Sequence, residues 1–560
     1  MRDSGRSQKP SAAAAQTFRS VTRAPRGAWL PAFASALLLW AAFPPLDLWP
    51  LAWIAPLGWL WLCGQNPLPG RRPWLALWLS GFAFWLGVLH FLRLPHPATS
   101  LGWLAISFYF AFYTPAFVWL TRRAIEHWHV PLVLAAPIAW TGLELLRGHL
   151  LTGLTYGALG YTQFRWIALI QVADLAAVYG VSFIVMLGAA AIATALFTTN
   201  NTARIFAPVA ALLLVTATLA YGYWRIADRG LVRTGPKVAL IQGSIDTELK
   251  ADPNKRFFVH DQYLRLSEQA LHENPDLDLI VWPETMFRES LMTFDPDFRP
   301  PTDVDWTADD ARYSAQLRQE FLAGTARHLR VPAIIGIDCH HYGPGTIRHY
   351  NAAIHIEPTG AIKGRYEKIH RVMFGEYIPF GDWFPWLYKI TPVAASLTAG
   401  EAPRSFAIGS YRLAPNICFE NILPHFVRWQ VRTLRQQGEE PDFLVNLTND
   451  GWFWGSSELD QHLTCAVFRA VEMRKPFLIA ANTGFSASID ADGRIQAQGP
   501  RRDTDVVIAR VTLDDRRSPY ARWGDWFAGL CLAVCGAIAT AAVVEYLRKR
   551  RSRFSPPATA

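Results

Sequence analysis

With 560 residues, 51% of them hydrophobic, only 18% charged, and 24 Trp and 33 Phe among them, the chain carries more apolar surface than an ordinary soluble enzyme. The formal net charge of +9 does not describe a nucleic-acid binder, because the basic residues collect at the ends and in short loops and form no stripe on one domain. Six cysteines, at 63, 339, 418, 465, 531 and 535, are too scattered for a disulfide framework or a zinc pattern, and no metal or cofactor is expected.

Residues 1–27 hold Arg2, Arg6, Lys9, Arg19, Arg23 and Arg26 against the single acid Asp3, which predicts a disordered basic cytoplasmic extension. Further apolar spans follow at once, so an uncleaved first helix fits better than a signal peptide. A crossing needs about 20 apolar residues. By that measure residues 28–224 form a seven-helix transmembrane bundle, with spans near 28–43, 47–63, 73–93, 101–121, 130–147, 178–197 and 204–224. An eighth span covers 525–547, and 548–560 is a basic cytoplasmic tail. Arg71 and Arg72, Arg122 and Arg123, Arg204 and the tail all fall on the side of the N-terminus. The positive-inside rule therefore places the intervening domain outside the cytoplasm. Between spans five and six, residues 148–177, with Gln171 and Asp174, read as an interfacial or re-entrant segment. Glu144 and Arg147 read as a pair snorkelling from a helix end.

From 235 to 515 the texture changes. Short β-prone runs begin at 238, 277, 331, 352, 411, 443, 477 and 506, bounded by Gly, Pro, Asn or Asp, and helical patterns at 256–273, 308–329, 420–437 and 458–475 lie between them. This alternation predicts a single α/β domain whose sheets are covered by helices.

Three residues in it could carry chemistry. In Val281-Trp-Pro-Glu-Thr285 the apolar strand stops at Pro283, which cannot donate to a ladder, so Glu284 stands at the strand exit as a candidate general base. Lys368, in Gly364-Arg-Tyr-Glu-Lys-Ile-His-Arg371, could supply positive charge to an oxyanion. Cys418 ends the run Leu413–Cys418, just before a helix that Asn421 could cap and Pro424 could open. Such a helix start favours a thiolate through its dipole. Taken singly, a solvated Glu, a surface Lys and a buried Cys are the commoner readings. The segment Asp338-Cys-His-His341 has metal-competent side chains, but neighbours on a strand alternate faces, which argues against a compact site. His462 and Glu472 are read as serving the helix that buttresses the sheet.

In combination, the order Glu284, Lys368, Cys418 within one α/β domain resembles the nitrilase superfamily. That resemblance implies a Glu–Lys–Cys triad in an αββα sandwich. Set between a helical bundle and a last span, the domain is similar to the apolipoprotein N-acyltransferase family. The full expectation is thus a membrane α-helical bundle of about eight spans plus a nitrilase-like αββα sandwich. By motif, Glu284 is similar to the family's general base, Lys368 to its oxyanion lysine and Cys418 to its nucleophile. Glu376 in Phe374-Gly-Glu-Tyr-Ile-Pro379 and Glu420 beyond the cysteine resemble supporting acids. Phe419 stands where the family usually has Tyr, and Ala251 where many members carry Trp. Val445-Asn-Leu-Thr-Asn-Asp-Gly-Trp-Phe453 resembles a turn that walls the site.

The resemblance implies transfer of an acyl chain from a phospholipid, through a thioester on Cys418, to the α-amino group of a diacylglyceryl-apolipoprotein. It implies a monomer in the bacterial inner membrane with its catalytic domain on the periplasmic side. The aromatic loop from Met373 to Pro392, including Phe374, Trp383, Phe384 and Trp386, has the composition of an interfacial lid, and Trp452 invites the same reading. The alternative for these rings is packing of the domain onto the helices. Rival readings of the whole chain are a membrane-tethered carbon–nitrogen hydrolase acting on a soluble substrate, which leaves the spans without purpose, and a transporter with an extracytoplasmic binding domain. The transporter would need polar residues through the middle of several spans.

Overall fold

Helices of very unequal length build the apolar half of the chain. The computed structural model describes residues 27–228, 232–300, 305–381, 383–389 and 396–553, so nearly all of the N-terminal extension and the end of the tail lie outside the described residues. Among the described residues four helices are long and apolar enough to cross a membrane: 99–128, Ala173–Phe197, Asn201–Ala227 and 526–550. The first two expected spans are shorter than a crossing requires. Trp29–Ala41 has 13 residues, and residues 47–63 split at Pro56 into a 3-10 turn and the helix Leu57–Cys63. Pro73–Val88 is followed by a separate 3-10 turn, and Leu132–His149 carries Pro137 inside it. The last helix does not stop at 547; it runs on as Trp526–Arg553 through the basic residues. Helix Ala173–Phe197 is the central one, buried over most of its length by its neighbours.

Residues 148–177 are no surface ribbon. After an exposed turn at Leu150–Thr152, the short elements Leu159–Gln163 and Ile167–Ile170 fill a buried seat between the bundle and the globular domain. Glu144 and Arg147 hold that seat and do not snorkel. Both are buried; Glu144 accepts from Leu159 N–H (2.7 Å) and Trp140 Nε1 (2.8 Å), while Arg147 donates to the carbonyls of Leu154 (3.0 Å) and Tyr156 (2.6 Å). A buried loop must satisfy its backbone somewhere, and this pair does so.

Twelve strands follow: β1 (Val232–Gln242), β2 (Leu279–Phe294), β3 (Ala333–Gly343), β4 (Thr346–Ile356), β5 (Ile362–Glu367), β6 (Phe406–Ile408), β7 (Tyr411–Ile417), β8 (Phe443–Thr448), β9 (Phe477–Ala481), β10 (Ala487–Ile489), β11 (Ile495–Gln498) and β12 (Asp505–Asp514). They form two six-stranded sheets, ordered β12-β1-β2-β3-β4-β5 and β11-β10-β9-β8-β7-β6. The centre of each is parallel, β1-β2-β3 in one and β7-β8-β9 in the other.

Strand periodicity decides the layers. Val238, Leu240, Leu279 and Val281 face the second sheet and meet Leu413, Val445 and Leu478 there. Their neighbours Ala239, Ile241, Ile280 and Trp282 point the other way, toward helices Arg256–Glu273 and Ala308–Leu329. On the outer face of the second sheet lie Pro424–Gln436 and Glu458–Met473, and these helices share one continuous core with the bundle, from Leu39 and Trp59 through Tyr161 to Val427 and Phe468. The αββα sandwich therefore stands on the bundle through one helix layer.

Charge locks the same joint. Asp174, fully buried, accepts from Arg225 Nε (2.8 Å), Arg474 Nη2 (2.6 Å) and Tyr221 hydroxyl (2.6 Å). Arg474 also reaches Gln171 Oε1 (2.6 Å) and Asp492 (3.3 Å), and Asp492 in turn accepts from Arg516 (2.6 Å). The network ties two long helices to the β10–β11 turn and to the segment after β12.

Candidate active site

The two sheets bring Glu284, Lys368 and Cys418 together at one end of the sandwich. Pro283 does not end β2. The strand continues to Phe294, and its pairing with β3 slips between Trp282 and Phe287, so Glu284 sits in a bulge that turns its carboxylate toward the second sheet. The missing N–H of Pro283 explains the slip. Gly336 on β3 makes room for it, since a Cβ there would come 2.1 Å from Pro283 O and 2.8 Å from the Glu284 Cα.

Glu284 is 7% exposed and held by three partners. Oε1 accepts from Asn351 Nδ2 at 2.6 Å and lies 3.5 Å from Lys368 Nζ; Oε2 accepts from Asn449 N–H at 2.9 Å. Lys368 follows β5 directly, is fully buried, and also donates to Glu376 Oε1. The other Glu376 oxygen takes Val372 N–H at 2.8 Å, so Glu376 fixes the lysine and the loop after it together. Burial alone would push the Lys368 ammonium down; Glu376, Glu284 and the Cys418 thiol outweigh it and hold its pKa well above the usual lysine range.

Cys418 opens a 3-10 turn, Cys418–Ile422, with left-handed backbone at φ 50°. The following helix starts only at Pro424, with Leu423 as its cap, and both polar atoms of the Asn421 side chain are buried without a partner. The expected helix-dipole activation is therefore not what the structure provides. Burial, then the Glu284 charge, push the thiol well above its ordinary pKa, with Lys368 opposing. Cys418 thus stands within electrostatic reach of both Glu284 and Lys368.

Glu420, fully buried, accepts four hydrogen bonds: from the N–H groups of Ile369 (2.7 Å), His370 (2.9 Å) and Ile417 (2.7 Å) and from the Tyr366 hydroxyl (2.8 Å). It thereby staples the lysine segment of one sheet to the cysteine strand of the other. Phe419 stacks on His370 at 5.8 Å between centroids. Phe374, Trp383, Phe384, Trp386 and Trp452 are all exposed, Trp383 at 77%, so these rings do not pack the domain onto the bundle. Phe453 does, edge-on to Phe91. Part of the Met373–Pro392 loop lies outside the described residues.

Asn351 escaped the sequence reading, and Asn449 and His462 stood in it in other roles. Asn351 arrives opposite Asp338 through the β3–β4 register, and Asn449 contributes only its backbone. His462 does more than buttress a sheet: its Nδ1 meets Asp450 Oδ1 at 3.2 Å and its Nε2 the Cys418 carbonyl at 3.3 Å, where Asn446 Nδ2 also donates at 3.1 Å. Against burial, Asp450 raises this imidazole to about 9, so both ring N–H groups donate. Asp450, Glu458 and His462 lie close enough together to suggest a metal site, but both His462 nitrogens are already spent and Glu458 accepts from Tyr156 of the buried seat at 2.8 Å. The clamp on the Cys418 carbonyl suits a residue held at positive φ.

A carboxylate, an ammonium and a thiol converging between two sheets define a carbon–nitrogen hydrolase domain, here carried on a bundle with long apolar helices. Family models agree: one described as carbon-nitrogen hydrolase matches residues 237–519, and one described as apolipoprotein N-acyltransferase N-terminal domain matches 35–191. The apolipoprotein N-acyltransferase of Geobacter metallireducens is 34% identical, covering 92% of this chain and 96% of its own, and that of Rhodopirellula baltica is 31% identical, covering 94% and 99%. A solved carbon-nitrogen hydrolase from Helicobacter pylori aligns with 57% of this chain and 96% of its own at 15% identity and a TM-score of 0.35. The chain belongs to the apolipoprotein N-acyltransferase family.

Proposed function

We propose that the protein moves a fatty acyl chain from a phospholipid onto Cys418 and then onto the α-amino group of an S-diacylglyceryl-cysteine at the start of a lipoprotein. The observation that supports this most is the convergence of Cys418, Glu284 and a Lys368 fixed between two carboxylates, on a domain that stands directly on apolar helices.

Glu284 takes the Cys418 proton as the sulfur attacks the ester carbonyl. The thiol is half-buried and its pKa is pushed up, so charge develops on sulfur as the proton passes to Glu284. Lys368 stabilises the tetrahedral oxyanion. The lysophospholipid alkoxide leaves with the proton held by Glu284, and a thioester remains. The incoming amine loses its proton to Glu284 as it attacks the thioester, and the thiolate departs and is reprotonated. Glu376 and Glu420 position the lysine, and His462 with Asn446 holds the Cys418 backbone.

In this reading residues 28–224 and 525–547 supply eight spans, some of them short or broken, and residues 235–515 work on the periplasmic face of the inner membrane with the basic loops inside. The exposed rings Phe374, Trp383, Phe384, Trp386 and Trp452 form a lid that meets the bilayer and admits acyl chains.

Purified protein mixed with a defined phospholipid and a diacylglyceryl-cysteine peptide is expected to add one acyl chain to the peptide amine, and Cys418→Ala to add none. Peptide acylation that survives Cys418→Ala would end the proposal. Gly336→Ala is expected to displace Glu284 and slow Cys418 acylation by about 10²-fold, while circular dichroism keeps the wild-type shape. A wild-type rate in that variant would mean that the bulge does not position the base.

A further inference from the structure

We propose that Lys250 and Arg288 form an anion pocket at the edge of the Cys418 site, and that it receives the phosphodiester of the glycerophospholipid donor. The inference rests on the acyl-transfer reading above and deepens it.

Buried cations elsewhere in the domain are paired: Lys368 with Glu376 and Glu284, Arg469 with Glu472 at 2.7 Å, Arg474 with Asp174 at 2.6 Å. Lys250 and Arg288, both half-buried at the rim of the site, have no such partner. Among the described residues neither has a carboxylate oxygen within 4.0 Å. Lys250 Nζ donates to Thr285 Oγ1, and the other ammonium protons have no partner among the described residues. Arg288 sends Nη1 to Thr285 O at 3.4 Å and Nη2 to Lys250 O at 3.0 Å, and its Nε is buried with no acceptor. Two cations thus stand side by side with donors unspent.

The cost of leaving this arrangement empty falls on one atom above all, the buried Arg288 Nε. Burial pushes the Lys250 ammonium down to about 8; Arg288 adds to that, while Asp338, Glu284 and Cys418 oppose it. A buried donor without an acceptor is unfavourable, and so is like charge without a counter-ion. An anion resolves both, and a guanidinium fork beside an ammonium suits a phosphate oxygen pair.

Position points to the donor lipid. Lys250 lies on the short helix Thr247–Ala251; Arg288 lies on β2, four residues beyond Glu284, and both contact Thr285, the residue after the base. The Lys250 charge is felt at both Glu284 and Cys418. In a glycerophospholipid only the glycerol carbons separate the ester from the phosphate. With the ester over Cys418, the phosphate therefore falls in the same cleft.

The test compares Cys418 acylation by three donors in detergent micelles, followed by intact mass: phosphatidylglycerol, diacylglycerol with the same chains, and p-nitrophenyl palmitate. In the double variant Lys250→Met/Arg288→Gln, the phospholipid-to-p-nitrophenyl palmitate ratio of kcat/KM is expected to fall about 30-fold, mainly through KM, as for lost charge-assisted hydrogen bonds. The wild-type preference for phospholipid over diacylglycerol should vanish with it, and Lys250→Arg should restore most of the ratio. Equal loss with all three donors, or an unchanged ratio, overturns the pocket. Strong competition by inorganic phosphate at millimolar concentration would assign it to a soluble anion and overturn the headgroup. A wild type that no phospholipid acylates overturns the acyl-transfer reading itself, and the pocket with it.

Discussion

Lys368→Met is expected to slow acylation of Cys418 by about 10²–10³-fold, the range for losing one oxyanion donor. The side chain is fully buried and its ammonium lies between Glu284 and Glu376, so nothing else at that position can supply the charge. The substitution also leaves two carboxylates facing each other without their cation, and breaking a buried pair costs about 3–5 kcal/mol. Stability and chemistry can be separated. The double variant Lys368→Met/Glu376→Gln removes the uncompensated charge, so it should recover much of the melting temperature and none of the acylation rate. An acylation rate within about threefold of wild type in either variant would take the lysine out of the reaction.

The second large effect concerns the joint between bundle and sandwich. Asp174→Leu removes the carboxylate that two buried guanidiniums, Arg225 and Arg474, share, leaving them only the longer carboxylate contacts to Asp228 (3.7 Å) and Asp492 (3.3 Å). A loss of about 3–5 kcal/mol is expected, read as a lower melting temperature in detergent. Asp174→Glu should recover part of it. If Asp174→Leu melts with the wild type, the joint is held by the shared apolar core alone.

Much of the site was legible in the sequence through the order of Glu284, Lys368 and Cys418 in one domain, since none of the three stands out alone. A proline before Glu284 and an apolar run before Cys418 are one-dimensional signals, the alternation of apolar runs predicted an α/β domain with four helices covering its sheets, and the family resemblance implied the pairing of two sheets. What stayed hidden depends on pairing. Asn351 reaches Glu284 only because β4 runs antiparallel to β3 in one particular register, and His462 reaches the Cys418 carbonyl across 44 residues of chain. The sequence also misled where two local rules competed. Pro283 was expected to end β2, but β3 supplied a glycine that accommodates a bulge, and the strand ran on. Asn421 has the composition of a cap, yet an intervening 3-10 turn gave that position to Leu423 and took Cys418 away from the helix dipole. Glu144 and Arg147 fit the pattern of a snorkelling pair until the following loop folded back and claimed both. Short strands such as β6 and β10, three residues each, lack the length to show a period.

The most direct measurement is the intact mass of the purified protein after incubation with a single defined phospholipid and no acceptor. The account predicts one added acyl group, mapped to Cys418, released by neutral hydroxylamine and absent in Cys418→Ala. An adduct on any other residue, or lipoprotein acylation by a protein lacking this thiol, would contradict it.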